Sequence, residues 1–511
     1  MLMDAAGYRE SLRAYRPRVF VNGQTVEQVA DEPLLAPGIN AVGTTYDLAH
    51  QDAHKALMTA RQSSSGKTVN RMLHIDDNAS DLLSKLEAVR LACRISGCAQ
   101  RYLAHDSLNA LWQTTARTDA QRGTDYSDRF RAYLHDVQDR DLTLGIAMTD
   151  AKGDRSKRPG AQANRDAYVH IKERRKDGIV IRGTKAIVTG APYMHEFLVM
   201  PCRTHAPGDE DFAVCCAVPC DAEGVTIVAR PAGRPGDPAA KFSAQYGQST
   251  GVVIFEDVFV PWARVFLAGE LEEGGVLTTS YATHHRHSCI AARAGFGDLL
   301  IGAGALMVEA NGLDAERHSH VREQMVELIT IVESFFACGV AASVYCQADP
   351  AGSVMPDVVF SNIGKLLLAT KIYDMHRIAH YVSGGLVVAL PGPDEDHNPE
   401  TAASLSAVLT GRADIPYAQR AEVARMIEDL TVSKEAGWYS VISLHGGGSP
   451  EAMKREIWRN YPVMEKVELV ETLLGRGVLD DGSRVSKQPG RCCATGCQVP
   501  DRMSPVQTAA E

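Results

Sequence analysis

The apolar residues of this chain change their spacing twice, and that change limits the folds open to it. From about residue 75 to 145 they recur at helical intervals, as in DDNASDLLSKLEAVRLACRISG, which opens with the Asp, Asn and Ser types that cap helices. From about 165 to 267 they gather into short β-branched runs separated by Gly, Pro and Asp: DGIVIRGTKAIVTG, HEFLVMP, DFAVCCAVP, GVTIVARP and STGVVIFEDVFVP. Beyond about 275 the helical interval returns, with Val321, Met325, Leu328, Val332 and Phe335 on one stripe and Val423, Met426, Ile427 and Leu430 on another. A compact β unit therefore lies between two helical ones. With 511 residues, 45% of them hydrophobic, the chain can bury a large core and divide into domains. The tail QPGRCCATGCQVPDRMSPVQTAAE is rich in Gly, Pro and small polar residues and reads as loosely ordered.

Charge and cysteine usage narrow the function classes. A net charge of -10 argues against nucleic acid or an anionic membrane as partner, because both select a basic surface. The opening MLMDAAGYRESLRAYRPR lacks an apolar signal core, and no unbroken apolar run reaches bilayer length, so a cytoplasmic protein is expected. The 12 cysteines are scattered without a C-x-x-C pair and are expected to remain thiols, with no metal site assigned to them.

Several motifs invite chemistry and fail on context. Gly247 to Gly251 spell G-x-S-x-G and His445 to Gly448 read HGGG, but a nucleophile elbow must run from strand into helix, whereas VVIFEDVFVP follows here. The glycines of HGGGSP instead suit a tight turn whose backbone approaches a ligand. GFGDLLIG and GAGALM lack the full nicotinamide fingerprint and any preceding strand, so reducing equivalents must come from outside the chain. YATHHRHSCIAA, residues 281–292, concentrates three histidines and a cysteine. On a helix, His284 and His287 would share one face and His285 and Cys289 another. Either pair could grip a metal, and solvated or core histidines are the competing reading.

Taken in order, AMTDAKGDRS, IKERRKDGIVIRGTKAIVTGA, FEDVFVPWARVFLAGE, YATHHRHS, GFGDLLIGA and SLHGGGSP resemble the flavoprotein family of 4-hydroxyphenylacetate 3-monooxygenases and 4-hydroxybutyryl-CoA dehydratases. The resemblance runs from about residue 20 to 475. It implies an α+β, acyl-CoA-dehydrogenase-like fold: an N-terminal helical domain (1–146), a central β barrel (147–270), a C-terminal four-helix bundle (271–475) and a tail (476–511). It also implies a homotetramer holding FAD at Lys152, Gly153, Asp154, Arg155, Thr189, Gly446, Gly447, Gly448 and Ser449. A separate reductase would supply the FAD in reduced form.

The departures from the family matter as much as the matches. Against the dehydratases' cluster ligands, three cysteines and a histidine, Cys98 and His285 match, but Tyr102 and Ala292 stand at the other two positions, so no iron–sulfur cluster is expected. The dehydratases' catalytic tyrosine falls on Cys289 and a carboxylate position on Ile442. Against the monooxygenases, Arg101 matches the arginine that meets a phenolic substrate, while the tyrosine position falls on His105 and the histidine position on Ile146. The resulting expectation is an FAD-dependent, two-component monooxygenase that hydroxylates an aromatic or electron-rich small molecule. Arg101, Tyr102, His105 and His285 are its catalytic candidates. The alternatives are a cluster-free lyase or isomerase acting on an acyl-CoA, and a flavoprotein that only binds.

Overall fold

The computed structural model describes residues 2–476, so the reading of the tail as loosely ordered lies outside the described residues. Its main helices in the first half are α1 (Ala5–Leu12), α2 (Ala36–Asp47), α3 (Ala79–Ser96), α4 (Tyr102–Arg122) and α5 (Tyr126–Asp139). Asn78 caps α3 by accepting from the backbone N–H groups of Ser80 and Asp81, a contact that contributes about 1 kcal/mol. α3 ends at Gly97, and Gln100 then turns the chain into α4. Both adopt positive φ, 68° and 59°, and Cys98 lies between them.

The β-branched runs form strands where the sequence places them, but not as a closed barrel. Strands β1 (Arg18–Val21) and β2 (Gln24–Val26) come from the N-terminal segment. After them come β3 (Leu144–Ala147), β4 (His170–Arg174), β5 (Gly178–Thr189), β6 (Glu196–Val199), β7 (Val214–Pro219), β8 (Val225–Ala229), β9 (Thr250–Pro261) and β10 (Val265–Ala268). They make two open sheets, ordered β2-β1-β8-β9-β5-β4 and β10-β7-β6-β3. The expectation of a barrel is corrected to two layers facing one another across a shared core that holds Val19, Ile181, Phe197, Cys216, Ile227 and Val253. The physical reason lies at the edges. β4 (HIKER) turns charged side chains outward and β2 is only three residues long, so neither edge continues into the other sheet. One bridge, Asp150 to Lys185, ties the layers together, and the buried Lys185 ammonium meets Asp150 at 2.7 Å and the carbonyls of Met148 and Met200.

The second half is helical. The 40-residue α6 (Leu271–Ala310) is its axis, and α7 (Ser319–Val344) and α8 (Val358–Ser383) pack on it and on each other. α9 (Tyr417–Thr431) lies against α6 and α8, followed by α10 (Lys434–His445), α11 (Pro450–Asn460) and α12 (Val463–Leu473). α3 and α4 cross α6 from the other side, so the two helical regions share one core. At Gly295 of α6 the backbones nearly touch: a Cβ there would stand 2.5 Å from the carbonyl oxygen of Arg90. By length and composition α6 and α7 are apolar enough to cross a bilayer, which the sequence reading did not anticipate. α6, however, carries His284, His285, Arg286, His287 and Arg293 in the protein interior.

Candidate active site

YATHHRHSCIAA lies within α6, and the helix sorts its residues by direction, since each step turns a side chain by about 100°. His284 Nε2 meets Gln113 Oε1 at 3.3 Å and His287 Nε2 meets Ser343 Oγ at 2.8 Å. Burial holds His284 down to about 3 and His287 well below its ordinary value, so both are neutral packing residues. A different face, with four-residue spacing, carries Tyr281, His285, Cys289 and Arg293. The sequence reading paired His285 with Cys289 but did not extend the stripe to Arg293, although the spacing is present in the sequence.

His285 is held from both sides. Its Nδ1 lies 3.0 Å from Asp106 Oδ2 and its Nε2 lies 3.4 Å from Cys289 Sγ. Asp106, fully buried on α4, also accepts from Ser288 Oγ at 2.5 Å and faces the Lys85 ammonium of α3 at 3.7 Å. Burial alone would push His285 down. The adjoining Cys289 thiolate and the Asp106 carboxylate outweigh burial and raise it to about 9. Burial would raise Cys289, but the imidazolium beside it, with Lys365 and Arg293, draws it below an ordinary thiol. The two shifts run in opposite directions, each group favouring the charged form of the other, and the contact places His285 where it can donate toward the Cys289 sulfur.

The walls of this site are cationic. Lys365, fully buried on α8, is lowered to about 8 by burial and by the neighbouring Arg293 and Arg286, and donates to the carbonyl of Ser443. Arg293 donates to Ser443 Oγ at 2.6 Å and keeps a buried Nη1 with no partner. Arg286 donates to the carbonyl of Gly447 at 2.9 Å and to Asn362 at 2.7 Å. Among the described residues, none of these three cations lies within 4 Å of a carboxylate. The Gly446–Ser449 turn closes over them with φ of 76° and 101° at Gly447 and Gly448, and a Cβ on Gly447 would stand 3.3 Å from His285 Cδ2. Ser449 caps α11. Tyr102 begins α4 with its hydroxyl 3.3 Å from Cys98 Sγ and its ring stacked 6.2 Å from that of His285.

The fold thus brings His285, Tyr102 and the 446–449 turn together. Arg101 and His105 are placed differently. Arg101 is fully buried, paired with Asp141 at 2.6 Å and stacked on Tyr46, and its Nε and Nη1 have no partner. His105 is fully buried, 3.2 Å from Asp76 and 3.9 Å from Asp106, and so reaches His285 only through that carboxylate. Asp106, Lys85, Lys365, Arg286 and Arg293 escaped the sequence reading, because nothing in a sequence shows which lysines and carboxylates tertiary packing will bury together.

The Lys152–Arg155 loop lies on the β layers. Lys152 and Gly153 adopt consecutive positive φ of 73° and 51°, and the backbone N–H groups of Lys152 and Asp154 donate to the carbonyl of Ala167 at 3.1 Å and to Gln162 Oε1 at 3.0 Å. Asp154 accepts from Ser156 Oγ at 2.7 Å, and among the described residues the exposed Arg155 guanidinium has no hydrogen-bond or ion-pair partner. Thr189 ends β5 with a hydroxyl that makes no hydrogen bond among the described residues, beside Gly190, which packs on Gln100 next to the Cys98–Tyr102 link. The Ser249 hydroxyl donates to the carbonyl of Arg230 at 2.6 Å, as a structural serine would.

Two family models match in succession: 4-hydroxyphenylacetate 3-hydroxylase N terminal over residues 4–267, and 4-hydroxyphenylacetate 3-hydroxylase C terminal over residues 275–475. The chain belongs to the 4-hydroxyphenylacetate 3-hydroxylase family. Within it, the chain is 34% identical to the 4-hydroxybutyryl-CoA dehydratase/vinylacetyl-CoA-Δ-isomerase of Clostridium aminobutyricum, over 93% of this chain and 100% of that one. It is 25% identical to the 4-hydroxyphenylacetate 3-monooxygenase oxygenase component of Thermus thermophilus, over 91% and 97%. An oxygen-tolerant archaeal 4-hydroxybutyryl-CoA dehydratase from N. maritimus superimposes with a TM-score of 0.91 at 34% identity, covering 96% of this chain and 98% of that one. The oxygenase component of 4-hydroxyphenylacetate 3-monooxygenase complexed with FAD gives 0.82 at 23% identity, over 92% and 98%, a likeness of fold.

Proposed function

We propose that this chain is a cluster-free, FAD-dependent monooxygenase of two-component type, acting as a homotetramer on an aromatic or electron-rich small molecule. The observation that carries this reading is the occupancy of the cluster-ligand positions. Tyr102 stands at one of them with its hydroxyl on Cys98, and the methyl of Ala292, which binds no metal, stands at another. In this reading Lys152 to Arg155, Thr189 and the Gly446–Ser449 turn hold FAD, which, reduced by a separate reductase, would supply the activation of oxygen.

The chain's own residues then bind and polarise the substrate. Arg286, Arg293 and Lys365 favour an anion such as a phenolate, whose ring carbon is the better nucleophile, and His285 and Tyr102 donate hydrogen bonds to its oxygen. His105 orients His285 through Asp106, and Arg101 fixes the start of α4 against Asp141. Apolar side chains left exposed, including Val326, Ile329, Tyr373, Tyr381 and Leu473, support burial between subunits.

The test incubates the purified protein with FAD, a generic flavin reductase, NADH and oxygen, and follows both the flavin spectrum and oxygen incorporation into simple phenols. Hydroxylated product that depends on the reductase supports the reading, and bleaching of bound FAD by NADH without a reductase overturns it. Four iron atoms with matching sulfide per anaerobically reconstituted subunit would also overturn it. A second reading, a cluster-free flavin-dependent acyl-CoA dehydratase or isomerase, is favoured by the 34% identity across the full length of the clostridial relative. Conversion of an enoyl-CoA under argon would select it.

A further inference from the structure

We propose that Cys289 is a nucleophilic thiolate whose substrate is an α,β-unsaturated carbonyl compound, with His285 as its proton donor and Arg293 as the holder of the developing enolate oxygen. The proposal goes beyond the flavin reading, because it concerns protein groups alone.

The geometry is that of an activated cysteine. Cys289 Sγ lies 3.4 Å from His285 Nε2, and Asp106 orients the ring from the opposite nitrogen at 3.0 Å. Asp106 is itself fixed by Ser288 and Lys85, so the imidazole cannot rotate away. Cys289 is partly exposed, whereas its neighbours Cys93 and Cys98 are sealed in the core, so a reagent reaches Cys289 first.

One turn further along α6, Arg293 supplies what a thiolate alone lacks. Arg293 is buried, its guanidinium lies over the rings of Trp438 and Tyr439, and among the described residues its Nη1 has no hydrogen-bond partner. A buried, unsatisfied N–H beside a nucleophile is a place for an oxygen that gains charge during reaction. The soft thiolate on one side and the cation on the other match the two ends of a conjugated carbonyl.

The step balances without an oxidant or reductant. The Cys289 sulfur forms a bond to the β carbon, and the π pair of the carbon–carbon double bond moves toward the carbonyl, leaving an enolate whose oxygen faces Arg293. The His285 imidazolium then gives its proton to the α carbon and becomes neutral. The reverse sequence releases the compound.

The test uses the full-length protein at pH 7 with N-ethylmaleimide, an unsaturated dicarbonyl, and with iodoacetamide, which alkylates thiolates without forming an enolate. Peptide mass spectrometry gives the rate at each cysteine. The expected result is a maleimide adduct on Cys289 formed at least tenfold faster than on Cys202, Cys338 or Cys346, and absent in Cys289→Ser. His285→Gln slows both reagents at least tenfold, while Arg293→Gln slows maleimide about tenfold more than iodoacetamide. Circular dichroism and size-exclusion profiles identify any variant that fails to fold, and Arg293→Lys, which keeps the charge, restores most of the maleimide rate. An unmodified Cys289 beside reactive surface cysteines, or His285→Gln reacting at the parent rate, overturns the nucleophile. An unchanged ratio of the two reagents in Arg293→Gln overturns the carbonyl assignment.

Discussion

His285 and Asp106, 179 positions apart in sequence, meet at 3.0 Å in the interior, and the Lys85 ammonium 3.7 Å behind the carboxylate is also fully buried. Removing one charge from such a set strands the others away from water. Asp106→Asn is expected to destabilise the fold by about 3–5 kcal/mol, and Lys85→Met in the same chain to recover part of that loss. Urea denaturation at fixed protein concentration measures both.

Acid should unfold this protein through its buried neutral histidines. Burial lowers His195 and His284 to about 3 and His376 to about 4, each from an ordinary value near 6.5. The unfolded chain therefore takes up protons below pH 6.5 that the folded one refuses. Stability from these three groups is fully present above that pH and is lost as pH falls from 6.5 toward 4, by up to about 1.4 kcal/mol per pH unit for each. Denaturation midpoints measured across that window should fall steeply, and His284→Asn should reduce the slope by about one such increment.

The crossing of α3 and α6 tolerates no side chain at its centre. Gly295→Ala would set a methyl group 2.5 Å from the Arg90 carbonyl and 2.7 Å from the Arg94 nitrogen, backbone atoms that cannot rotate aside. A loss of about 1–3 kcal/mol is expected. Gly302→Ala, on the same helix with no atom within 4 Å of its Cβ, should be neutral or slightly stabilising and serves as the control in thermal melts.

Cofactor affinity tests the loop on the β layers. Arg155→Ala should weaken binding of reduced FAD by about one to two decades, the loss of one charge-assisted contact of about 1.5–3 kcal/mol, without altering the oligomeric state. Equal affinity in anaerobic titration would remove the loop from the flavin site.

The order of elements was legible because hydrophobic spacing is a local property. The capping Asn78, the stripe from Val321 to Phe335 and each β-branched run became the element its spacing indicated. The same local signal placed His285 and Cys289 on one helical face. Closure of the sheets was not legible, since pairing between edges depends on partners far apart in sequence; β1 (Arg18–Val21) joins β8 (Val225–Ala229) in parallel across the domain boundary read from the sequence. Nor was the fate of the charged residues legible. Arg101 reads like a ligand-binding arginine and lies buried against Asp141, whereas Lys85, Lys365 and Arg293, which no motif singles out, line the interior around His285 and Cys289. Sequence by itself determined which segments fold into helix and strand. Only the tertiary structure decided which charges were buried beside one another, and it is those neighbours, outweighing burial, that raise His285 and lower Cys289.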